Sequence, residues 1–206
     1  MSMISPAFQD AVHDSQQCFR LLLKAMSEPG TIVTLDRCDG FGSMMSAAAQ
    51  TLLSMSDNAT PIWLSPSFLQ DRAISENIKF HVSAPIVESL EQASFAAFSL
   101  QDLDSQDWCS LPFNTGNEEY PDSSTTVIIE LDSLAGGAAL ELLGPGIESH
   151  KTAYLNGAPN ALITFLMHRQ DQMAFPLGID VIFVADQQVM CLPRTTKVEV
   201  PVCTLL

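Results

Sequence analysis

Apolar residues recur along this chain at two periods, and the switches between them predict an order of helices and strands. Phe19, Leu22, Leu23 and Met26 fall at i, i+3, i+4 and i+7, which predicts a helix over 14–27 with that stripe on the core. Arg20 and Lys24 lie four apart on another face of it. Pro29 disfavours helical geometry at Glu28, and Gly30 permits a tight reversal into the β-branched run 31–35. A second helix is expected over 43–56, where the small residues Ala47, Ala48 and Ala49 allow close packing. A turn at 57–61 leads to a short buried strand at 62–64, then a helix over 67–80 and a strand over 93–98. Residues 99–124 are the least regular and predict one short helix and a surface loop.

The second half has strong strands at 125–131 and 140–143, joined through Ala135, Gly136 and Gly137, and a turn at 144–146. A helix over 160–171 places Leu162, Phe165 and Leu166 on one side. Strands at 181–184 and 189–192 flank a hairpin-sized connection at 185–188. Helices and strands thus interleave throughout, with no repeat and no low-complexity linker. One domain over 1–206 is expected, α/β or α+β around one central sheet.

Composition narrows the class. With 47% hydrophobic residues the chain has material for a sizeable core and does not read as disordered. No run approaches the roughly 18 apolar residues of a membrane span, and the first residues, MSMISPAFQDAVHD, lack the basic and apolar regions of a secretory signal. A cytoplasmic protein is expected. Cys18, Cys38, Cys109, Cys191 and Cys203 are scattered, form no CxxC pair, and read as reduced thiols with no zinc or other metal site.

The net charge of −15 is unevenly spread. Between Lys79 and Lys151 there are twelve acids and no Lys or Arg. That stretch opposes binding of nucleic acid, which needs a basic stripe. It reads as a solvated acidic surface or as a face for a basic partner.

Catalytic and nucleotide-binding signatures do not emerge. There is no GxGxxG, no P-loop, no GxSxG elbow and no HExxH. Glu118 and Glu119 are adjacent and would diverge on a strand. Two basic patches remain as anion-binding candidates. One is Arg20 with Lys24. The other is Arg194, Thr195, Thr196 and Lys197, where a guanidinium, an ammonium and two hydroxyls could take an oxyanion. The competing reading is structural. If the last hairpin turns at Asp186–Gln187 or one residue later, Asp180 lands opposite Pro193 or Arg194, and an Asp180–Arg194 pair needs no ligand. No residue is assigned a catalytic role.

Three stretches together resemble the PhnH family of the bacterial carbon–phosphorus lyase system: FRLLLKAMSEPGTI at 19–32, TLLSMSDNATPIWLS at 51–65, and FPLGID followed by LPRTTKVEV at 175–200. The resemblance implies a subunit for alkylphosphonate catabolism. Such a subunit works with PhnG, PhnI and PhnL to make a ribose 1-phosphonate 5-triphosphate from ATP and phosphonate, and joins PhnG, PhnI and PhnJ in a core complex. It also implies a homodimer and a three-layer sandwich with a central mixed sheet, similar to the large domain of pyridoxal-phosphate-dependent transferases but with no cofactor. The available lysines, Lys24, Lys79, Lys151 and Lys197, follow no pyridoxal motif. Two other readings stay open: an independent phosphate- or phosphonate-binding or catalytic protein, and a structural subunit with no ligand.

Overall fold

The computed structural model describes residues 4–173 and 175–201. Its centre is a six-stranded mixed sheet, built from β1 (Ile32–Thr34), β2 (Ile62–Leu64), β3 (Phe95–Phe98), β4 (Thr126–Glu130), β7 (Asp180–Ala185) and β8 (Gln188–Leu192) in the order β1-β8-β7-β4-β3-β2. Strands β2, β3, β4 and β7 are parallel, and at one end β8 runs antiparallel to both β7 and β1. The parallel strands read FAAF, TVIIE and DVIFVA, near-continuous apolar runs, because both of their faces are covered. This is the α/β architecture with a central mixed sheet.

One face carries the helices α1 (Ala11–Ser27), α2 (Ser46–Met55), α3 (Pro66–Gln70) and α4 (Arg72–Val82). Ile128, Ile182, Val184, Val189 and Cys191 point into that layer. On the other face lie α5 (Asn160–Gln172) and a three-stranded antiparallel sheet ordered β6-β5-β9, with β5 at Ser133–Leu143, β6 at Lys151–Asn156 and β9 at Lys197–Glu199. Val127, Ile129, Val181, Phe183, Met190 and Leu192 pack against these. Successive strand residues alternate between the two cores, as period-2 geometry demands.

Several boundaries differ from the sequence expectation. The helix expected over 67–80 is two helices, because Asp71 leaves helical geometry and caps α4 by accepting from the Ala73 N–H. The strand expected at 140–143 is the end of an eleven-residue β5, whose pairing with β6 shifts register between Ser133 and Ala138, across Gly136 and Gly137. Strands β6 and β9 have no counterpart in the sequence expectation. The irregular stretch 99–124 contains three short 3₁₀ turns, at Leu100–Ser105, Trp108–Ser110 and Pro121–Ser123, and it contributes to the core: Trp108 is buried against Phe98 and Phe165.

Helix α1 corrects a finer point. Asp10 caps it by accepting from the Val12 and His13 N–H groups. Its buried residues are Cys18, Leu22 and Ala25, whereas Phe19 and Leu23 are 44% and 56% exposed. The expected stripe of Phe19, Leu22, Leu23 and Met26 is therefore not the buried one. Close packing of α1 on α2 favours the small Cys18 and Ala25 over Phe19. After α1 the chain reverses at Gly30, whose φ of 76° suits glycine, and where a Cβ would lie 2.8 Å from the Leu142 Cδ1.

Candidate functional site

The last hairpin turns at Asp186–Gln187, with Ala185 paired to Gln188 and Val181 to Leu192. That register carries Asp180 opposite Pro193 and next to Arg194. The Arg194 N–H donates to Asp180 Oδ1 at 2.7 Å, and its Nη2 donates to Asp180 Oδ2 at 2.6 Å. The guanidinium then spreads over three more groups: Nη1 donates to the carbonyls of Pro121 (2.7 Å) and Pro176 (3.3 Å), and Nη2 to Ser124 Oγ (2.6 Å). Nε makes a longer contact of 3.4 Å to Asp180 Oδ1. A guanidinium has five N–H donors, and all five are engaged by protein. Arg194 thus ties the 121–124 turn, the 176–180 entry and the end of β8 into one corner.

A second arginine sits behind it. Arg169 extends the Leu162, Phe165, Leu166 side of α5 and is 2% exposed. Its Nη2 donates to the carbonyls of Pro193 (2.6 Å) and Thr196 (3.0 Å), and its Nη1 to those of Leu192 (3.3 Å) and Ile179 (3.5 Å). Burial lowers its pKa to about 10, and the nearby Asp180 carboxylate opposes that shift. Arg169 is absent from the candidates that the sequence suggests. Its register with Leu162, Phe165 and Leu166, at i+7, i+4 and i+3, is the signal that points to it.

The remaining candidates are dispersed. Thr196 is fully buried, and its Oγ1 has no partner among the described residues; the same holds for Arg169 Nε. Thr195 is half-buried beside a cleft of about 240 Å³ shared with Gln170, Met173, Phe175, Leu177 and Arg194. Lys197 is exposed at the start of β9 and pairs with Glu199 at 2.6 Å, which raises its pKa. Arg20 and Lys24 are exposed on α1 in the opposite layer, and no hydrogen bond or ion pair among the described residues joins them to the Arg194 corner. That corner lies at the amino ends of β4 and β7, whereas ligands of open α/β sheets sit outside the carboxyl ends.

At the carboxyl ends the chemistry is acidic. Glu130 ends β4 on the same side as Ile128, facing the helical layer, and is 2% exposed. Its Oε1 accepts from the Met45 N–H at 2.6 Å, so a residue 85 positions away caps α2, where Met45 offers no side-chain cap. Burial pushes this carboxyl up to about 8, against the lowering effect of that hydrogen bond. A polar cleft of about 390 Å³ nearby is lined by Thr34, Asp132, Ser133, Asp186, Gln187 and Gln188.

Among the described residues, no three or more His, Cys, Asp or Glu side chains cluster to hold a metal. Cys18, Cys38, Cys109 and Cys191 are free thiols, and burial pushes those of Cys38 and Cys191 up to about 12; Cys203 lies outside the described residues. No described helix is long and apolar enough to cross a membrane.

Comparison with known proteins decides the family. The model of PhnH, described as a bacterial phosphonate metabolism protein, matches residues 6–199. The chain belongs to the PhnH family. A PhnH relative from Rhizobium meliloti (strain 1021), called the alpha-D-ribose 1-methylphosphonate 5-triphosphate synthase subunit PhnH, is 33% identical over 95% of both chains. A second relative, the putative C-P lyase subunit protein HtxG of Stutzerimonas stutzeri, is 29% identical over 89% of this chain and 85% of its own. The PhnH match spans every strand of the central sheet and the Arg169–Asp180–Arg194 corner.

Proposed function

We propose that the protein is the PhnH subunit of a ribose 1-methylphosphonate 5-triphosphate synthase within the carbon–phosphorus lyase system. The observation that carries this is the 33% identity, over 95% of both chains, to a protein of that name. The geometry of the cations supports a role without independent chemistry: Arg194 has its N–H donors engaged by protein, and Arg169 holds four carbonyls. The finer parts of the reading are a homodimer, a core complex with PhnG, PhnI and PhnJ, dependence on PhnL, a single domain, and a cytoplasmic location. Likeness of its sheet to the large domain of pyridoxal-phosphate-dependent transferases belongs with them. A strain lacking the protein fails to grow on methylphosphonate as sole phosphorus source, and tagged protein recovers PhnI. Normal growth of that strain refutes the proposal.

One observation favours a second reading, a small-anion site in this subunit. Arg169 Nε and Thr196 Oγ1 are buried polar atoms without partners among the described residues. Arg169 lines a small cavity that shares Gln170, Met173, Leu177 and Arg194 with the Arg194–Thr195 cleft, and Thr196 follows Thr195 in the chain. Calorimetry of the purified protein with ATP and methylphosphonate tests it. Heat that Thr196→Val abolishes supports the site, and no heat with either ligand removes it, leaving the ligand-free subunit.

A further inference from the structure

Helix α1 has two apolar faces, and the fold uses one. At 100° per residue, the buried Cys18, Leu22 and Ala25 occupy one arc, while Val12, Phe19 and Leu23 fall within about 40° of one another, centred roughly 110° round the helix from it. These three are 76%, 44% and 56% exposed. Exposed apolar side chains scattered singly are ordinary, but three in line along one helix form a ridge. With the exposed Gln16 and half-buried Met26, the ridge runs 12, 16, 19, 23, 26, the alternating four-and-three spacing of a helix–helix seam. Arg20 lies about 80° and Lys24 about 120° round from its centre, both exposed and without an ion pair among the described residues.

We propose that the outer face of α1 seats a helix of another protein subunit, one carrying Asp or Glu beside an apolar seam. This rests on the reading of the protein as a synthase subunit. Charge decides among the occupants. Arg20 and Lys24, exposed beside an apolar ridge, are locally complementary to an acidic partner. A second copy of α1 offers no such match. Antiparallel pairing sets His13 and Arg20 against Arg20 and His13, and parallel pairing sets them against Phe8 and Ser15, with no carboxylate on the seam's flanks either way. An anionic bilayer surface is disfavoured by the charge of the whole chain.

The experiment uses full-length tagged protein in its own host grown on methylphosphonate. A photo-crosslinking amino acid at Gln16 is expected to join a helix of another synthase subunit, mapped by peptide mass spectrometry to a segment flanked by Asp or Glu. Phe19→Asp, and separately Arg20→Glu with Lys24→Glu, are expected to cut recovery of the other subunits by at least about tenfold, with the melting temperature unchanged. A cross-link into a second copy, or none in an assembled complex, overturns the proposal, as does undiminished recovery by both variants. Wild-type protein recovered alone overturns the subunit reading itself, so the two failures are distinct.

Discussion

Replacing Glu130 by glutamine should stabilise the protein, and by an amount that depends on pH. The carboxyl is 2% exposed, and its Oε1 accepts from the Met45 N–H at 2.6 Å. Burial raises its pKa from 4.5 to about 8. The folded protein therefore holds a proton that the unfolded chain releases, and the free energy of unfolding falls as pH rises between those two values. At about 1.36 kcal/mol for each pH unit separating them, the loss is about 3–5 kcal/mol, complete above pH ~8 and absent below pH ~4.5. The glutamine amide keeps an acceptor oxygen for the Met45 N–H and has no proton to lose. Urea unfolding of wild type and Glu130→Gln from pH 4 to pH 9 checks this: the variant's advantage should be near zero at pH 4, about 1 kcal/mol by pH 5, grow through neutrality and level off above 8. Glu130→Leu separates the two roles of the side chain. It removes the charge but orphans the Met45 N–H, at a cost of about 1–3 kcal/mol at every pH. A Glu130→Gln advantage that is constant with pH, or a wild type more stable at pH 8, would refute the reasoning.

Two further perturbations test the arginine corner. Arg169→Lys keeps the buried charge but replaces a planar fork that reaches four carbonyls with a point charge, so stability should drop by about 2–4 kcal/mol by urea unfolding, and an unchanged midpoint would remove the clamp. A double-mutant cycle of Asp180→Asn and Arg194→Ala should give a coupling of about 1.5–3 kcal/mol, because the two side chains are only 21% and 16% exposed and meet at 2.6 Å; a coupling below about 0.5 kcal/mol would place the pair with ordinary surface ion pairs.

The central sheet is legible in the sequence because doubly covered strands are written as apolar runs. The strand Ile62–Leu64 agrees with expectation to the residue, and the turn at Asp186–Gln187 is one of the two registers that the hairpin length allows. The second sheet is not legible, for different reasons in each strand. In β6 the residues Lys151–Asn156 do alternate, with Ala153 and Leu155 inward, but polar ends shorten the apolar signal to two positions. β9 is three residues around one buried Val198, too short for any period to register. The break at Asp71 costs a single residue of helix, and the cap that announces it, an Asp two residues before Ala73, sits inside an unbroken helical period. Glu130 and Arg169 share a subtler pattern: each occupies a core position of its element, one in step with Ile128 and the other with Phe165. A charged residue in phase with an apolar stripe is the mark of a buried cap or clamp, and the amino-acid sequence displays it openly.

Helix α1 shows why phase alone does not settle a face. Periodicity offers Phe19, Leu22, Leu23 and Met26 as one stripe, but the helix turns so that Leu22 goes inward with Cys18 and Ala25. Close approach to α2, whose Ala47, Ala48 and Ala49 are fully buried, favours the small Cys18 and Ala25 on either side of Leu22. The large Phe19 and Leu23 are left outside. A protein acting alone gains nothing from exposing Phe19 and Leu23, since burying either is worth about 1.5–3 kcal/mol. Relatives of this chain carry the names of enzyme subunits, and on the proposal above that forgone stabilisation is recovered on assembly. On the same proposal, Arg20 and Lys24 direct which surface of an otherwise acidic chain meets a partner. The buried Arg169 and the half-buried Arg194 hold the scaffold at the sheet corner, and on this reading the exposed basic pair on α1 is left for recognition.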